Sequence, residues 1–167
     1  MTEPLSVLVE RASEPTEDVR ALVRALEHEL AQHYTPEQRH GLALDAIFQP
    51  HIRFYVAMVE GKAVGCGGVG LFSDFAELKR MFVQSAARGR GIADAILARL
   101  AAEAWDSDKT LLRLETGTRQ AAAIRFYERN GFQRCEAFPP YSSMTAHAIA
   151  TSVFLEKRLT SPILDPP

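Results

Sequence analysis

Glu77 to Ala93 reads E-L-K-R-M-F-V-Q-S-A-A-R-G-R-G-I-A, and its two halves follow different periods. Leu78, Met81, Phe82 and Val83 predict a buried strand from Phe75 to Val83, although the alternation is imperfect. Beyond Gly91, residues Ile92, Ile96, Leu97, Leu100 and Ala104 recur at helical spacing. A strand therefore feeds a helix through Arg88-Gly89-Arg90-Gly91. Glycines there permit positive φ and a close main-chain approach, and the unpaired amides of the first helical turn point outward. Such a turn attracts an anion, a pyrophosphate above all, with Arg88 and Arg90 adding charge. The competing reading is a basic surface turn. A dinucleotide fingerprint fails because the third glycine position holds Asp94, and no G-x-x-x-x-G-K-[ST] string occurs.

Upstream, Leu5 to Val9 predicts a first strand, and Ser13 to Thr16 opens a helix whose apolar face is Val19, Leu22, Val23, Leu26 and Leu30. Thr35-Pro36-Glu37-Gln38 combines a cap, a proline at the first helical position and a glutamine three residues on, predicting a second helix to about Phe48. Phe54, Val56 and Met58, the turn Glu60-Gly61-Lys62 and the glycine-rich run Ala63 to Leu71 predict a β-hairpin. Downstream, Leu111 to Glu115 is strand-like and Gln120 to Asn130 helical, with Gly131 as its stop. Phe132 to Ala137 and Thr151 to Leu155 are expected to close the sheet. The expected order is β-α-α-β-β-β-α-β-α-β-β, an α/β (α+β) chain forming one domain over residues 1–160 before a loose tail at 161–167.

Bulk properties narrow the function. A net charge of −2 over 167 residues supplies no basic face of the kind that non-specific nucleic-acid binding needs. Cys66 and Cys135 lack metal-ligand spacing and read as reduced, buried thiols. His28 and His33 are five residues apart, so their rings point to different helix faces and no metal site is expected. No secretory signal and no 18-residue apolar run occurs, from which a soluble, cytoplasmic protein without a membrane partner is expected.

With the order of elements in place, Glu77 to Ala93 resembles the main signature of the GNAT superfamily of acyl-CoA N-acyltransferases, a strand, [QR]-x-x-G-x-[GA] and a helix. Ala123-Ile124-Arg125-Phe126-Tyr127-Glu128-Arg129-Asn130-Gly131-Phe132 is similar to the family's A-x-x-[FL]-Y-E-x-x-G-F element. The chain departs from the commonest pattern at Ser85, at Ala93 and at Gln120. This last stands where an asparagine often contacts the cofactor, and it keeps both a donor and an acceptor.

The resemblance implies a mixed, mostly antiparallel sheet flanked by about four helices, and acetyl-CoA as co-substrate. It places the pantetheine arm along Met81 and Val83 and the pyrophosphate on Arg88, Gly89, Arg90, Gly91, Ile92 and Ala93, with Gln120 nearby. The implied reaction is acetyl transfer to a primary amine, on a small molecule or a protein, by an enzyme that often pairs into a homodimer. A lysine-like amine of pKa about 10.4 is neutral only about once in 2,500 molecules at pH 7, so a base is required. Glu77 is the candidate, directly or through one water; an ordinary ion-paired strand glutamate is the equal alternative. Gln120, Ile124 and Tyr127 fall on one helix face, and Tyr127 is the candidate general acid for the departing thiolate, against a core aromatic. Tyr34 and Tyr141 are candidates for the acceptor pocket. A non-catalytic acyl-CoA-binding module on the same fold is the alternative function.

Overall fold

The first strand of the computed structural model, which describes residues 5–161, is set by its partner. Leu5, Val7 and Val9 pack toward the core, but the ladder begins at Leu8↔Met58 and ends at Ala12↔Phe54, so β1 is Leu8–Ala12 and not Leu5 to Val9. It is an edge strand, and its Glu10 and Arg11 are compatible with an edge. Thr16 then caps α1, Glu17–Ala31, by accepting a hydrogen bond from the Val19 N–H at 3.3 Å. Val19, Leu22, Val23 and Leu26 of this helix are buried, as the apolar stripe requires.

The expected helix from Thr35 to Phe48 does not form. Gln38 Oε1 does accept from the Thr35 N–H at 3.2 Å, but only two short 3₁₀ segments follow, at Pro36–Gln38 and Leu44–Phe48, with extended chain between them. Tertiary anchors hold that stretch open. Arg39 pairs with Glu27, His40 Nε2 donates to the Ala148 carbonyl at 2.7 Å, and the Leu42 carbonyl accepts from Arg80 Nε at 2.9 Å. The Leu42 carbonyl is thereby taken by a distant side chain instead of a helical ladder, and the Arg39 and His40 side chains fix the segment against α1 and the last loop.

β2 (Ile52–Val59), β3 (Lys62–Leu71) and β4 (Ala76–Val83) form an antiparallel meander. A loop with a 3₁₀ turn leads to α2 (Ile92–Asp106), β5 (Leu111–Gly117) and α3 (Ala121–Arg129). At the end of α3, Gly131 at φ 91° and the Phe132 N–H bonded to the Tyr127 carbonyl complete the expected left-handed stop. The late strand expected from Phe132 to Ala137 shrinks to β6, Gln133–Arg134, because only these residues reach the register of β7, Ser152–Arg158. The fourth helix is the short α4, Ala146–Ile149, inside the last loop. The expected tail beyond residue 161 lies outside the described residues.

The sheet order is β1-β2-β3-β4-β5-β7-β6, and its one parallel pair, β4 with β5, decides where a ligand can enter. Those strands pair only at Ala76↔Leu112 and Glu77↔Arg113 and have no further paired positions, while each stays laddered to its other neighbour. A cleft opens between Leu78–Val83 and Leu114–Gly117.

Within β4, Arg80 and Met81 together oppose Gly67, a bulge marked by φ 56° at Arg80. The extra residue reverses the alternation. Leu78 packs with α2 and α3 in one core, whereas Phe82 packs with α1 in the other. Glu77 and Lys79 consequently share the α1 face with Arg113 and Glu115 of β5, whose neighbours Leu112 and Leu114 fill the opposite core. Cys66 is buried beneath the bulge, its thiol donating to the Arg80 carbonyl at 3.4 Å and pushed up to about 12 by burial. Among the described residues no helix is long and apolar enough to cross a membrane.

Candidate functional site

The cleft is divided into two chambers. On the α2 side, a groove of about 670 Å³ runs past Met81, Val83, Gly89, Gly91 and Ile92 to Gln120 and Phe126. On the α1 side lies a smaller cavity of about 130 Å³ whose wall includes Glu77, Lys79, Glu115 and Tyr141. Met81, Gln120, Ala123 and Tyr127 belong to both linings, so the chambers meet there.

Two glycines shape the turn at one end of the groove. Gly89 and Gly91 have φ of 79° and 80°, and a Cβ on either would meet nothing within 4 Å. This open cradle faces the start of α2, whose first amides have no intrahelical partner, and a diphosphate fits it. Ala93 also lines the groove. Arg88 has a second duty: Nε donates to the Val83 carbonyl at 2.8 Å, and the guanidinium pairs with Glu29 at 2.8 Å, tying the end of β4 to α1. Arg90 is exposed beside the turn and stands outside the lining.

Tyr127 occupies the junction. Its ring packs edge-on against Phe126 and Phe132 at 5.2 and 5.5 Å between centroids, and burial pushes its hydroxyl well above the ordinary phenolic range. Gln120 shares the lining, but Ile124 turns into the core and Ala123 takes its place. Helical geometry explains the exchange: positions 120, 123 and 127 subtend the groove, and 124 lies further round.

Glu77 is 1% exposed and lies in a tight triad. Lys79 Nζ donates to Glu77 Oε2 at 2.9 Å and to the Tyr141 hydroxyl at 2.7 Å, while that hydroxyl donates to the same Oε2 at 2.5 Å. Glu77 Oε1 is buried with no partner among the described residues. Burial, reinforced by Glu77, raises the Tyr141 hydroxyl far above its usual range. Tyr141 and Tyr34 both line the small cavity. Tyr34 acts as a pin, its hydroxyl accepting from the Arg119 N–H at 2.9 Å directly against Gly117. A Cβ at residue 117 would overlap that hydroxyl, so Gly117→Ala is expected to lose about 1–3 kcal/mol through overpacking. Guanidinium unfolding tests this; an unchanged midpoint would show that Tyr34 yields freely.

The sequence reading omitted Glu115, Lys79, His40 and the pair Arg39 and Arg80. Glu115 faces the small cavity and accepts from Ser152 Oγ at 2.7 Å. Burial raises its carboxyl above the usual range; Ser152, His40 and Lys79 oppose the shift, and Glu77 adds to it. A signal for Glu115 and Lys79 existed: each stands two residues from another charged residue on a strand, Arg113 and Glu77, and so shares its face. His40 and Arg39 carried none, being read as helical.

Known proteins share the family and the fold. Residues 50–134 match the family model described as an acetyltransferase (GNAT) domain. The chain is 36% identical over 156 residues to an IAA acetyltransferase of Azospirillum brasilense, covering 92% of this chain and 99% of that one. A Klebsiella pneumoniae structure assigned as an acyl-CoA N-acyltransferase superposes with a TM-score of 0.73 at 32% identity, covering 92% and 98% of the two chains. The fold also matches PaiA N-acetyltransferase of Thermoplasma acidophilum, solved with coenzyme A, with a TM-score of 0.70 at 15% identity and 93% and 100% coverage.

Proposed function

The chain belongs to the GNAT acetyltransferase family, and on that premise we propose that it moves an acetyl group from acetyl-CoA to a primary amine held beside Glu77 and Glu115. The observation that carries this reading is the shared wall of the chambers. A thioester entering along Met81 and an amine entering past Glu77 meet at Tyr127 and Gln120. The groove suits coenzyme A: Gly89, Gly91, Ile92 and Ala93 offer a diphosphate cradle, Met81 and Val83 offer the unpaired side of β4 to an amide-bearing arm, and Gln120 offers a donor and an acceptor.

In this scheme the amine gives up a proton to Glu115, whose carboxyl burial raises above the ordinary glutamate range, while Glu77 draws the cationic form in. The nitrogen lone pair attacks the thioester carbonyl carbon. A C–N bond forms, the C–S bond breaks, and its electron pair leaves on sulfur. Tyr127 donates its phenolic proton to that thiolate and regains the proton that the acylated nitrogen sheds, while Glu115 releases its own to solvent. Coenzyme A and the N-acetyl amide are the products, with charge and protons balanced.

The test is thiol release from acetyl-CoA across a panel of amines, alongside calorimetry with acetyl-CoA. Uptake of acetyl-CoA with amine-dependent thiol release is the expected result. Absence of uptake overturns the reading, and uptake without release for any amine leaves a binding module in its place.

A further inference from the structure

Three guanidiniums and two carboxylates line the groove on the α2 side, and they do not cancel. Arg88 and Glu29 neutralise each other. Asp94 stands in the first turn of α2, where the positive helix end offsets a negative charge. Arg119 and Arg129 are left over, and neither has a carboxylate partner among the described residues. Arg119 Nη1 donates to His33 Nδ1 at 3.4 Å and its main-chain N–H to the Tyr34 hydroxyl, so that residue is tied to the end of α1. Arg129 has no such tie. Its guanidinium lies over the Phe126 ring, 5.6 Å from the centroid.

Gln120, Ala123 and Tyr127 line both chambers, whereas Ala122, Phe126 and Arg129 line the groove alone. These last three fall at i, i+4 and i+7, a single stripe of α3. Phe126 is half-buried and Arg129 exposed, so the stripe leads from the groove wall to its solvent edge. A basic residue in the last turn of a helix is favourable in itself, which accounts for the charge of Arg129 but not for its seat on the groove and over an aromatic ring. A guanidinium resting on a ring is partly ordered beforehand and keeps its planar fork for a phosphate. Coenzyme A carries phosphate in two places. The diphosphate suits the turn at Gly89 and Gly91, and a separate phosphomonoester on the ribose, with close to two negative charges at neutral pH, requires donors of its own. We propose that Arg129, held over Phe126, binds this ribose phosphate and makes the chain select acetyl-CoA over its dephospho form. The assignment rests on the acetyl-CoA reading and names a contact within it.

Calorimetry on the wild-type protein compares acetyl-CoA with acetyl-dephospho-CoA, which lacks only that phosphate. A charge-assisted bond at an exposed site predicts tighter uptake of acetyl-CoA by about 10-fold at low ionic strength, with the gap narrowing as salt is raised. Arg129→Gln is expected to bring the ratio toward about 1 by weakening acetyl-CoA alone, and Arg129→Lys to keep part of it. Equal affinities in the wild type would overturn the proposal, as would a ratio that Arg129→Gln leaves untouched or that Arg119→Gln closes instead. An Arg129→Gln protein weakened equally toward both ligands would also overturn it, by placing the guanidinium on the diphosphate. Uptake of neither ligand by the wild type would instead sink the acetyl-CoA reading beneath the assignment.

Discussion

Replacing Tyr127 by phenylalanine is expected to lower kcat by about 10²-fold or more while acetyl-CoA affinity stays within about twofold. The asymmetry follows from what the side chain touches. Its ring packs against Phe126 and Phe132, and phenylalanine preserves both contacts, so α3 and the groove should keep their shape. The proposed cofactor contacts come chiefly from main-chain amides and Gln120, none of which the substitution removes. Only the proton donor is lost. Burial keeps the hydroxyl protonated throughout the working pH range, so the proton is in place when the thiolate departs. Thiol-release kinetics with calorimetry separates the outcomes. An equal fall in affinity and turnover would make Tyr127 a packing residue, and turnover within about threefold of wild type would move the acid elsewhere.

The part of this site legible in the sequence was the part written in local pattern. Gly89 and Gly91 stand between a strand and a helix, and the chain can make the turn they predict from its own backbone. Tyr127 was legible because helical spacing carries it beside Gln120. The smaller chamber on the α1 side was not legible in the same way. Glu77 meets Tyr141 across 64 positions of chain, and His40 meets Ala148 across 108, distances over which no periodicity speaks. The segment 39–43 was misread for a related reason: its capping signal is real, but Arg39, His40 and Leu42 are held by groups far along the chain. The imperfect alternation around Arg80 was the visible trace of the bulge. Without the partner strand, it could not be told from a strand of mixed burial.

Glu115→Gln should separate catalysis from stability by moving them in opposite directions. A carboxyl whose folded pKa is raised holds a proton that the unfolded chain has already lost, so stability falls as pH rises from the ordinary glutamate value through the raised one. At neutral pH the ionised, buried Glu115 is therefore a net burden on the fold. Glutamine removes the charge and can still accept from Ser152, so the variant should be the more stable protein at pH 7, with the difference vanishing in acid. Turnover should nonetheless fall by about 10²-fold, because the amide cannot take the amine's proton. For the wild type, kcat/KM should drop as pH falls through the raised value, and this acid limb should be missing from the variant. Glu77→Gln is the contrasting change: it removes the anion that neutralises Lys79 in a buried triad, and it should destabilise the protein. Paired pH profiles and thermal unfolding decide the assignment. A less stable Glu115→Gln protein that keeps its acid limb would make Glu115 structural and return the role of base to Glu77.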